Sequence, residues 1–158
     1  MNKKINLYQK TIAIWNELCE LHKQLHDITS EEYIYLLSGD VDMVQEKIDK
    51  KKSIISNISK IDIDRDSLVT EINKQFKCKI QNFFELNKFF SDLEIEVNNN
   101  HLSKFNSLLR ELIYNIQQQN KNNQLFINKA IISLDKIKNA GAGNKAYSLY
   151  NSSGTLKK

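Results

Sequence analysis

Residues Gln117–Gln124 read QQQNKNNQ, eight consecutive polar residues with regularly spaced aliphatic residues on both sides. The stretch is either a linker between two structures or part of one long helix. Apolar residues recur every three or four positions before and after it, and the pattern crosses it in phase, placing Gln119 and Asn123 on the apolar stripe. A flexible linker would have no reason to keep this register, and it would contain glycine or serine. The spacing therefore predicts one helix from about His101 to residue 140, about 60 Å long.

The composition of the chain favours helix throughout. Its 158 residues include no proline and four glycines. Because proline and glycine shape tight turns, a fold with many strands would need more of both. The sequence predicts an all-α fold, an antiparallel bundle or coiled coil of a few long helices with a flexible C-terminal tail. We expect a long-helix domain over residues 1–140 and the tail over residues 141–158.

Two further long helices are predicted from apolar residues spaced three and four apart. The first runs from about Ile5 to Leu37, and the second begins at Val41, with Lys51 as the one polar residue on its stripe. Between them, the sequence SGD at 38–40 supplies a glycine for the left-handed position after a helix and an aspartate to cap the next one. A connection this short makes the two helices an antiparallel hairpin.

The middle of the chain is less regular. The acidic segment IDIDRDS, residues 61–67, predicts a kink or a restart of the second helix. The apolar pattern then continues from Leu68 to Val97 and includes a Phe-rich stretch, residues 76–90, which is most simply interpreted as core. The asparagines at 98–100 predict a turn or a cap, because asparagine side chains bond to nearby backbone groups.

The sequence contains no motif for catalysis, such as a nucleophile elbow, a phosphate-binding glycine loop or HExxH. We therefore expect no catalytic residue, no cofactor and no enzyme activity. Cys19, His22 and His26 lie near one face of the first helix, but a single helix rarely supplies the tetrahedral ligands of a zinc site. We expect no metal there, and the alternative is that these residues are partly buried polar members of the stripe.

The targeting signals of export and membrane insertion are also missing from the sequence. No apolar run is long enough for a transmembrane helix, and no apolar segment follows the N-terminal lysines as in a signal peptide. Two lone cysteines do not predict a disulfide framework. We expect a cytoplasmic protein with no membrane insertion.

The charge is unevenly distributed along the chain. Residues 1–64 have a net charge of −2, from 9 lysines and 11 acidic residues, and residues 65–158 have +6, from 14 basic and 8 acidic residues. A basic half could bind nucleic acid, although 21 lysines accompany only two arginines, and base readout relies on arginine and aromatic residues. We expect a solvated helix surface and no nucleic-acid binding, with a nucleic-acid binder as a minor alternative.

The last helix contains more apolar residues than one narrow stripe requires. They lie on both sides of the polar stretch and wrap more than half of the helix: Leu112, Ile113, Ile116, Leu125, Phe126, Ile127, Ile131, Ile132 and Leu134. One interpretation is a self-assembling structural coiled coil, in which buried polar residues fix the register. The other is a helix face that receives a partner helix.

Five segments spread over most of the chain resemble the FlgN-type flagellar export chaperones. LCELHKQLHDITSEE and LLSGD are similar to the family's leucine- and histidine-rich first helix and its glycine-containing turn. KKSIISNISKIDIDR is similar to a family lysine followed by paired aliphatic residues and an arginine, here Lys51, Ile54, Ile55 and Arg65. NKNNQLFINKAI is similar to a family pattern of two asparagines before an aliphatic run. LYNSSGT in the tail is similar to the family's Leu-Tyr followed by a glycine.

The resemblance implies a cytoplasmic, non-enzymatic chaperone of flagellar type III secretion. Such a chaperone binds flagellar hook-associated (hook–filament junction) proteins, prevents their premature assembly and delivers them to the export gate. It also implies that the C-terminal helix, about residues 101–140, binds cargo and that Tyr150 docks at the export gate protein FlhA. The expected cargo-binding residues are Asn120, Asn123, Phe126, Ile127 and Ile131, with the neighbouring Leu112, Ile116 and Leu134. The sequence leaves open the identity of the cargo and whether the chain forms a homo-oligomer.

Overall fold

A computed structural model describes residues 2–96 and 101–139, and within these ranges the chain forms five α-helices and no strand. The helices are α1 (Asn2–Ser38), α2 (Val41–Phe76), α3 (Phe83–Phe89), α4 (Ser91–Glu96) and α5 (His101–Ile137). The predicted all-α fold with a few long helices is confirmed. The turn expected at 98–100 and the tail expected at 141–158 lie outside the described residues.

The turn between α1 and α2 has the predicted chemistry. Gly39 adopts the left-handed conformation, with φ of 71°, and its N–H donates to the carbonyl oxygen of Leu36 at 3.3 Å. Asp40 caps α2, since its carboxylate accepts a hydrogen bond from the N–H of Met43 at 3.1 Å. These contacts satisfy backbone groups that a helix end leaves without partners, so the hairpin turn is set by local sequence.

The polar stretch Gln117–Gln124 is helical and lies within α5. The prediction of one long helix is confirmed, and α5 begins at the predicted residue, His101. The stretch is therefore not a linker.

A kink or a restart was expected at residues 61–67, and the restart is wrong, because α2 continues through this acidic segment to Phe76. Arg65 Nη2 lies 3.3 Å from Asp62 Oδ1, three residues earlier on the helix. The segment has no proline or glycine to break the helix, and this local ion pair offsets part of its negative charge.

The apolar pattern continues after Leu68, but the chain leaves the helical conformation after Phe76. Lys77 takes a left-handed conformation, with φ of 52°, and ends α2. The side chain of Asn73 then holds the non-helical segment, because its Oδ1 accepts from the N–H of Ile80 at 2.8 Å and its Nδ2 donates to the carbonyl oxygen of Ile80 at 3.2 Å. The spacing of apolar residues does not reveal this break in the helix, because it depends on hydrogen bonds between two residues seven positions apart.

Helix α3 begins at a reciprocal cap. Asn82 accepts from the N–H of Glu85 at 2.9 Å, and its own amide donates to the Glu85 carboxylate at 3.0 Å. The first bond is that of an asparagine N-cap, and the second differs from a capping box because the donor to Glu85 is the side-chain amide of Asn82 and not its backbone N–H. The N-x-x-E spacing was a signal in the sequence from which the start of α3 could have been predicted.

The chain divides into two compact units. Unit 1 comprises Met1–Leu25 and Lys52–Tyr114, and unit 2 comprises His26–Lys51 and Asn115–Lys158. Unit 1 contains α3 and α4, whereas α1, α2 and α5 contribute residues to both units.

Unit 1 has an apolar core. Its buried members are Leu7, Trp15, Leu18, Cys19, Leu68, Ile72, Ile80, Leu86, Phe90, Leu93, Leu102 and Leu109. Phe90 is fully buried and makes edge-to-face contacts with the rings of Tyr8 and Phe89, at centroid distances of 5.3 and 4.9 Å. Phe84, by contrast, is 75% exposed. The Phe-rich stretch is thus core in part, and its residues differ in burial.

Candidate functional site

In unit 2, α5 packs against α1 and α2. Asn123 contacts Thr29 and Glu32 of α1, and the ring of Phe126, further along α5, lies 6.4 Å from that of Tyr33. Residue numbers increase together along the two helices, so α5 runs in the same direction as α1 and opposite to α2.

The centre of this packing is polar. Asn123 is 3% exposed, and its Nδ2 donates to Glu32 Oε1 at 2.7 Å and to the carbonyl oxygen of Thr29 at 3.1 Å. Its Oδ1 accepts a hydrogen bond from Gln119 Nε2 at 2.9 Å. Both amide hydrogens and the amide oxygen of Asn123 are therefore engaged, as a buried amide requires.

Lys51 of α2 joins the same group. Its Nζ donates to Glu32 Oε1 and to Asn120 Oδ1, both at 3.2 Å. Glu32 is 2% exposed, so its carboxylate is neutralised by Lys51 and hydrogen-bonded by Asn123 inside the unit. We call the following residues the polar cluster: Thr29, Glu32, Lys51, Gln119, Asn120 and Asn123.

Apolar residues border the polar cluster along unit 2. On α5, Ile116 and Ile127 are buried, one on each side of Asn123 in the sequence. On α2, Val44 and Ile48 are buried. The inward face of α5 is therefore apolar at both ends and polar in the middle.

The far end of α5 extends beyond the hairpin. Phe126 is level with Tyr33, and α1 ends at Ser38, so α5 passes the end of α1 near residue 131 if both helices rise about 1.5 Å per residue. Ile131 is half-buried, and every residue from 132 to 139 is exposed.

Exposed apolar side chains concentrate at this end of unit 2. On α5 they include Leu134 and Ile137, which continue the inward face beyond Ile127, and on the hairpin they flank the turn. We call the following residues the open end: Ile34, Leu37, Val41, Leu134 and Ile137. Their exposed fractions range from 40% for Leu134 to 62% for Val41. Because exposed apolar side chains that lie together are typical of interaction surfaces, the open end is a candidate for one.

One comparison with known proteins found a match. The family described as FlgN protein matches residues 1–158, the whole chain. The chain belongs to the FlgN family. This confirms the resemblance seen in the sequence and makes the protein a flagellar export chaperone that binds flagellar proteins. Neither the curated proteins nor the solved structures contain a match.

The residues expected to bind cargo in this FlgN family member occupy different environments. Leu112 belongs to unit 1 and is half-buried against its core. The other seven lie in unit 2. Ile116, Asn123 and Ile127 are buried there, Phe126 and Ile131 are half-buried, and Asn120 and Leu134 are exposed. Tyr150 lies outside the described residues.

Sequence reasoning missed Glu32 and Thr29, the partners of Asn123 on α1. The available signal was Lys51, the one polar residue on the stripe of α2, because a charge on a buried stripe requires an opposite charge nearby. Periodicity shows that Lys51 points inward, but it does not identify the acidic residue that meets it.

Cys19 and His22 make backbone contacts in unit 1. Cys19 Sγ donates to the carbonyl oxygen of Phe105 at 3.3 Å, and burial raises the pKa of this thiol. His22 Nδ1 lies 2.7 Å from the carbonyl oxygen of Leu18. Within residues 2–96 and 101–139, no group of three or more His, Cys, Asp or Glu side chains is placed to hold a metal ion. In the same ranges, no helix has the length and apolar character needed to cross a membrane.

Proposed function

We propose that this chain is a cytoplasmic chaperone for hook–filament junction proteins, which it keeps from assembling early and delivers to the export gate. Membership of the FlgN family supplies the general role in flagellar export. The junction proteins, the gate protein FlhA and the cytoplasmic location are the family traits that the sequence segments imply. The observation that carries the proposal is the exposed apolar surface at the open end.

The open end suits an amphipathic helix of the cargo. Leu134 and Ile137 lie seven and ten positions after the buried Ile127, so they project from the same face of α5. Beyond the end of α1, a partner helix could pack on that face in the way α1 packs on it further back. This is the helix-in-groove mode of recognition.

Within the expected cargo-binding set, exposure suggests an order of contact. Leu134 is exposed and would meet cargo first, followed by the half-buried Ile131 and Phe126. The exposed Asn120 could add a polar contact. Ile116, Asn123 and Ile127 are proposed for cargo only after the packing of unit 2 loosens. Leu112, the one member of the set that lies in unit 1, remains a candidate for cargo binding.

The test is a binding measurement with purified full-length chain and the hook–filament junction proteins of the same organism. We expect L134E/I137E to bind them at least tenfold more weakly, because two charges replace apolar contacts. The matched control is I63E/F84E, which places the same two charges at exposed apolar positions of unit 1 (65% and 75% exposed) and should bind normally.

Two outcomes would contradict the proposal. Equal loss of binding in both variants would show that added charge, and not the open end, is responsible. No binding by the unmodified chain, together with a stable oligomer in light scattering that L134E/I137E dissociates, would favour a self-assembling structural coiled coil.

A further inference from the structure

Part of the face proposed to bind cargo is covered by the chain itself. Ile116, Asn123 and Ile127 of α5 are 7%, 3% and 7% exposed in unit 2, and Asn123 bonds to Thr29 and Glu32 of the hairpin. A cargo helix cannot contact these side chains while the hairpin occupies the same face. Access to them therefore requires that α5 and the hairpin separate.

The packing that must separate is centred on charges. Glu32 is 2% exposed, and its ion-pair partner Lys51 has a side chain that is 18% exposed. Removing two charges from water offsets most of their attraction, so a buried ion pair contributes little net stability compared with apolar residues of similar volume. On the other hand, a buried carboxylate that loses its cation is strongly destabilising.

The two units differ in this respect. Unit 1 buries a large cluster of apolar side chains together with the polar Thr11 and Glu94, whereas Glu32, Lys51 and Asn123 form a hydrogen-bonded polar group at the centre of unit 2. Local opening proceeds where few apolar contacts must be lost. Unit 2 is therefore the part that can open while the apolar core of unit 1 remains packed.

We propose that residues 26–51 of the hairpin compete with cargo for the inward face of α5, and that the polar cluster is the latch that sets how often unit 2 opens. This inference rests on the proposed function and adds regulation to the same site. Cargo would bind the open end first and then replace the hairpin along α5. The apparent affinity would equal the intrinsic affinity multiplied by the fraction of molecules that are open.

The latch also specifies the chemistry of the cargo helix. When the hairpin leaves, Asn123 loses the carboxylate of Glu32 and the carbonyl oxygen of Thr29, and its two amide hydrogens need new acceptors. The cargo helix should therefore carry a glutamate, aspartate or glutamine within its apolar stripe, at the position that meets Asn123. An entirely apolar stripe would leave the amide buried without partners.

The test uses Lys51, which lies on the hairpin and outside the expected cargo-binding set. K51A removes the lysine that pairs with Glu32 and should open unit 2. We expect amide hydrogens of residues 115–139 to exchange about tenfold faster in the free protein, and the junction protein to bind about tenfold more tightly. The control is K50A, which removes an exposed lysine paired with Glu46 at 3.1 Å on the same helix.

A second variant should shift both measurements in the opposite direction. E32Q/K51M removes both charges, while the glutamine oxygen can still accept from the buried Asn123 amide, so it should slow exchange in residues 115–139 and weaken junction-protein binding. Fluorescence of Trp15, the single tryptophan, verifies that unit 1 is intact, because this residue is buried in its core.

Each result decides between the proposals. Unchanged exchange in K51A would overturn the latch, and faster exchange with weaker or unchanged binding would overturn the competition with cargo. If no variant and no unmodified chain binds a junction protein, the proposed function and the competition fail together. The exchange rates would still decide whether Lys51 holds unit 2 closed.

Discussion

Asn123 of α5 donates a 2.7 Å hydrogen bond to the carboxylate of Glu32 on α1, 91 residues earlier in the chain. Both side chains are almost fully buried, at 3% and 2% exposure. Each satisfies part of the hydrogen-bonding requirement of the other, and neither would be stable in an apolar layer alone. The contact explains why a polar stretch keeps the register of an apolar stripe.

Replacing Asn123 should destabilise the protein more than replacing its neighbour. N123A removes a donor from the buried Glu32 and leaves the carbonyl oxygen of Thr29 without that amide, so we expect a loss of about 1–3 kcal/mol in the free energy of unfolding. N122A changes an exposed asparagine in the same helix and should cost within about 0.5 kcal/mol. Urea unfolding followed by circular dichroism measures both, and equal losses would contradict a structural role for the Asn123 amide.

The two kinds of phenylalanine in the Phe-rich stretch should respond differently to truncation. F90A empties a fully buried site bordered by Tyr8 and Phe89, and such deletions cost about 3–5 kcal/mol. F84A removes a ring that is 75% exposed and should change stability by less than about 1 kcal/mol. The same urea measurement compares them. Similar values would show that burial does not distinguish the two positions.

Long elements of this fold could be predicted from sequence because they depend on repeated spacing. Apolar residues recur every three or four positions along the whole of α5, so the helical pattern remains clear although Gln119 and Asn123 are polar. The turn at Gly39 and Asp40 was predictable because its chemistry is local. The break after Phe76 was not predicted, since it depends on one side chain, Asn73, bonding to a residue seven positions away.

The candidate site was only partly predictable for a related reason. Sequence pattern places Asn123 and Lys51 on inward stripes of their own helices, but the partner between them, Glu32, follows from how α1, α2 and α5 pack in unit 2. Exposure at the open end likewise depends on where α1 stops relative to α5. The lengths of α1 and α5 do not show how far α5 extends beyond the end of α1. For this reason Ile137 was not included in the expected cargo-binding set.

Glu94 should make stability fall as the pH rises. Its side chain is 5% exposed, and its Oε1 has no hydrogen-bond partner among the described residues. Burial raises the pKa of Glu94 above the ordinary value of 4.5. The folded state then holds the proton more tightly than the unfolded state, so this stabilisation is complete below pH 4.5 and is lost as the pH rises through the folded pKa.

The measurement is the difference in unfolding free energy between E94Q and the unmodified chain, followed from about pH 4 to pH 7. Glutamine keeps the shape of the side chain without the charge. We expect the free energy of unfolding of E94Q to increase relative to that of the unmodified chain as the pH rises. A difference that is constant over this range would show that Glu94 titrates alike in the folded and unfolded chain.

Asp92 provides a comparison of opposite sign in the same helix. A hydrogen bond from Lys4, with Nζ 3.0 Å from Oδ1, lowers the pKa of Asp92 below its ordinary value of 3.8. The stabilisation from this pair is present above pH 3.8 and is lost as the pH falls through the folded pKa. D92N should therefore be less stable than the unmodified chain near neutral pH and approach its free energy of unfolding in acid. E94Q should be favoured over the unmodified chain near neutral pH and lose that advantage in acid. If the unfolding free energies of D92N and E94Q, each relative to the unmodified chain, changed in the same direction with pH, the pKa direction given for Asp92 or for Glu94 would be wrong.

Docking at the export gate should depend on Tyr150 and not on cargo binding. Under the proposed function, Y150A should bind hook–filament junction proteins as the unmodified chain does, because Tyr150 lies outside the expected cargo-binding set in α5. It should lose binding to purified FlhA and reduce export and motility, since an aromatic anchor commonly supplies much of the affinity of a small contact. Y147A changes a second tyrosine three residues earlier and should retain both interactions. Normal FlhA binding and motility in Y150A, or an equal defect in Y147A, would contradict a specific docking role for Tyr150.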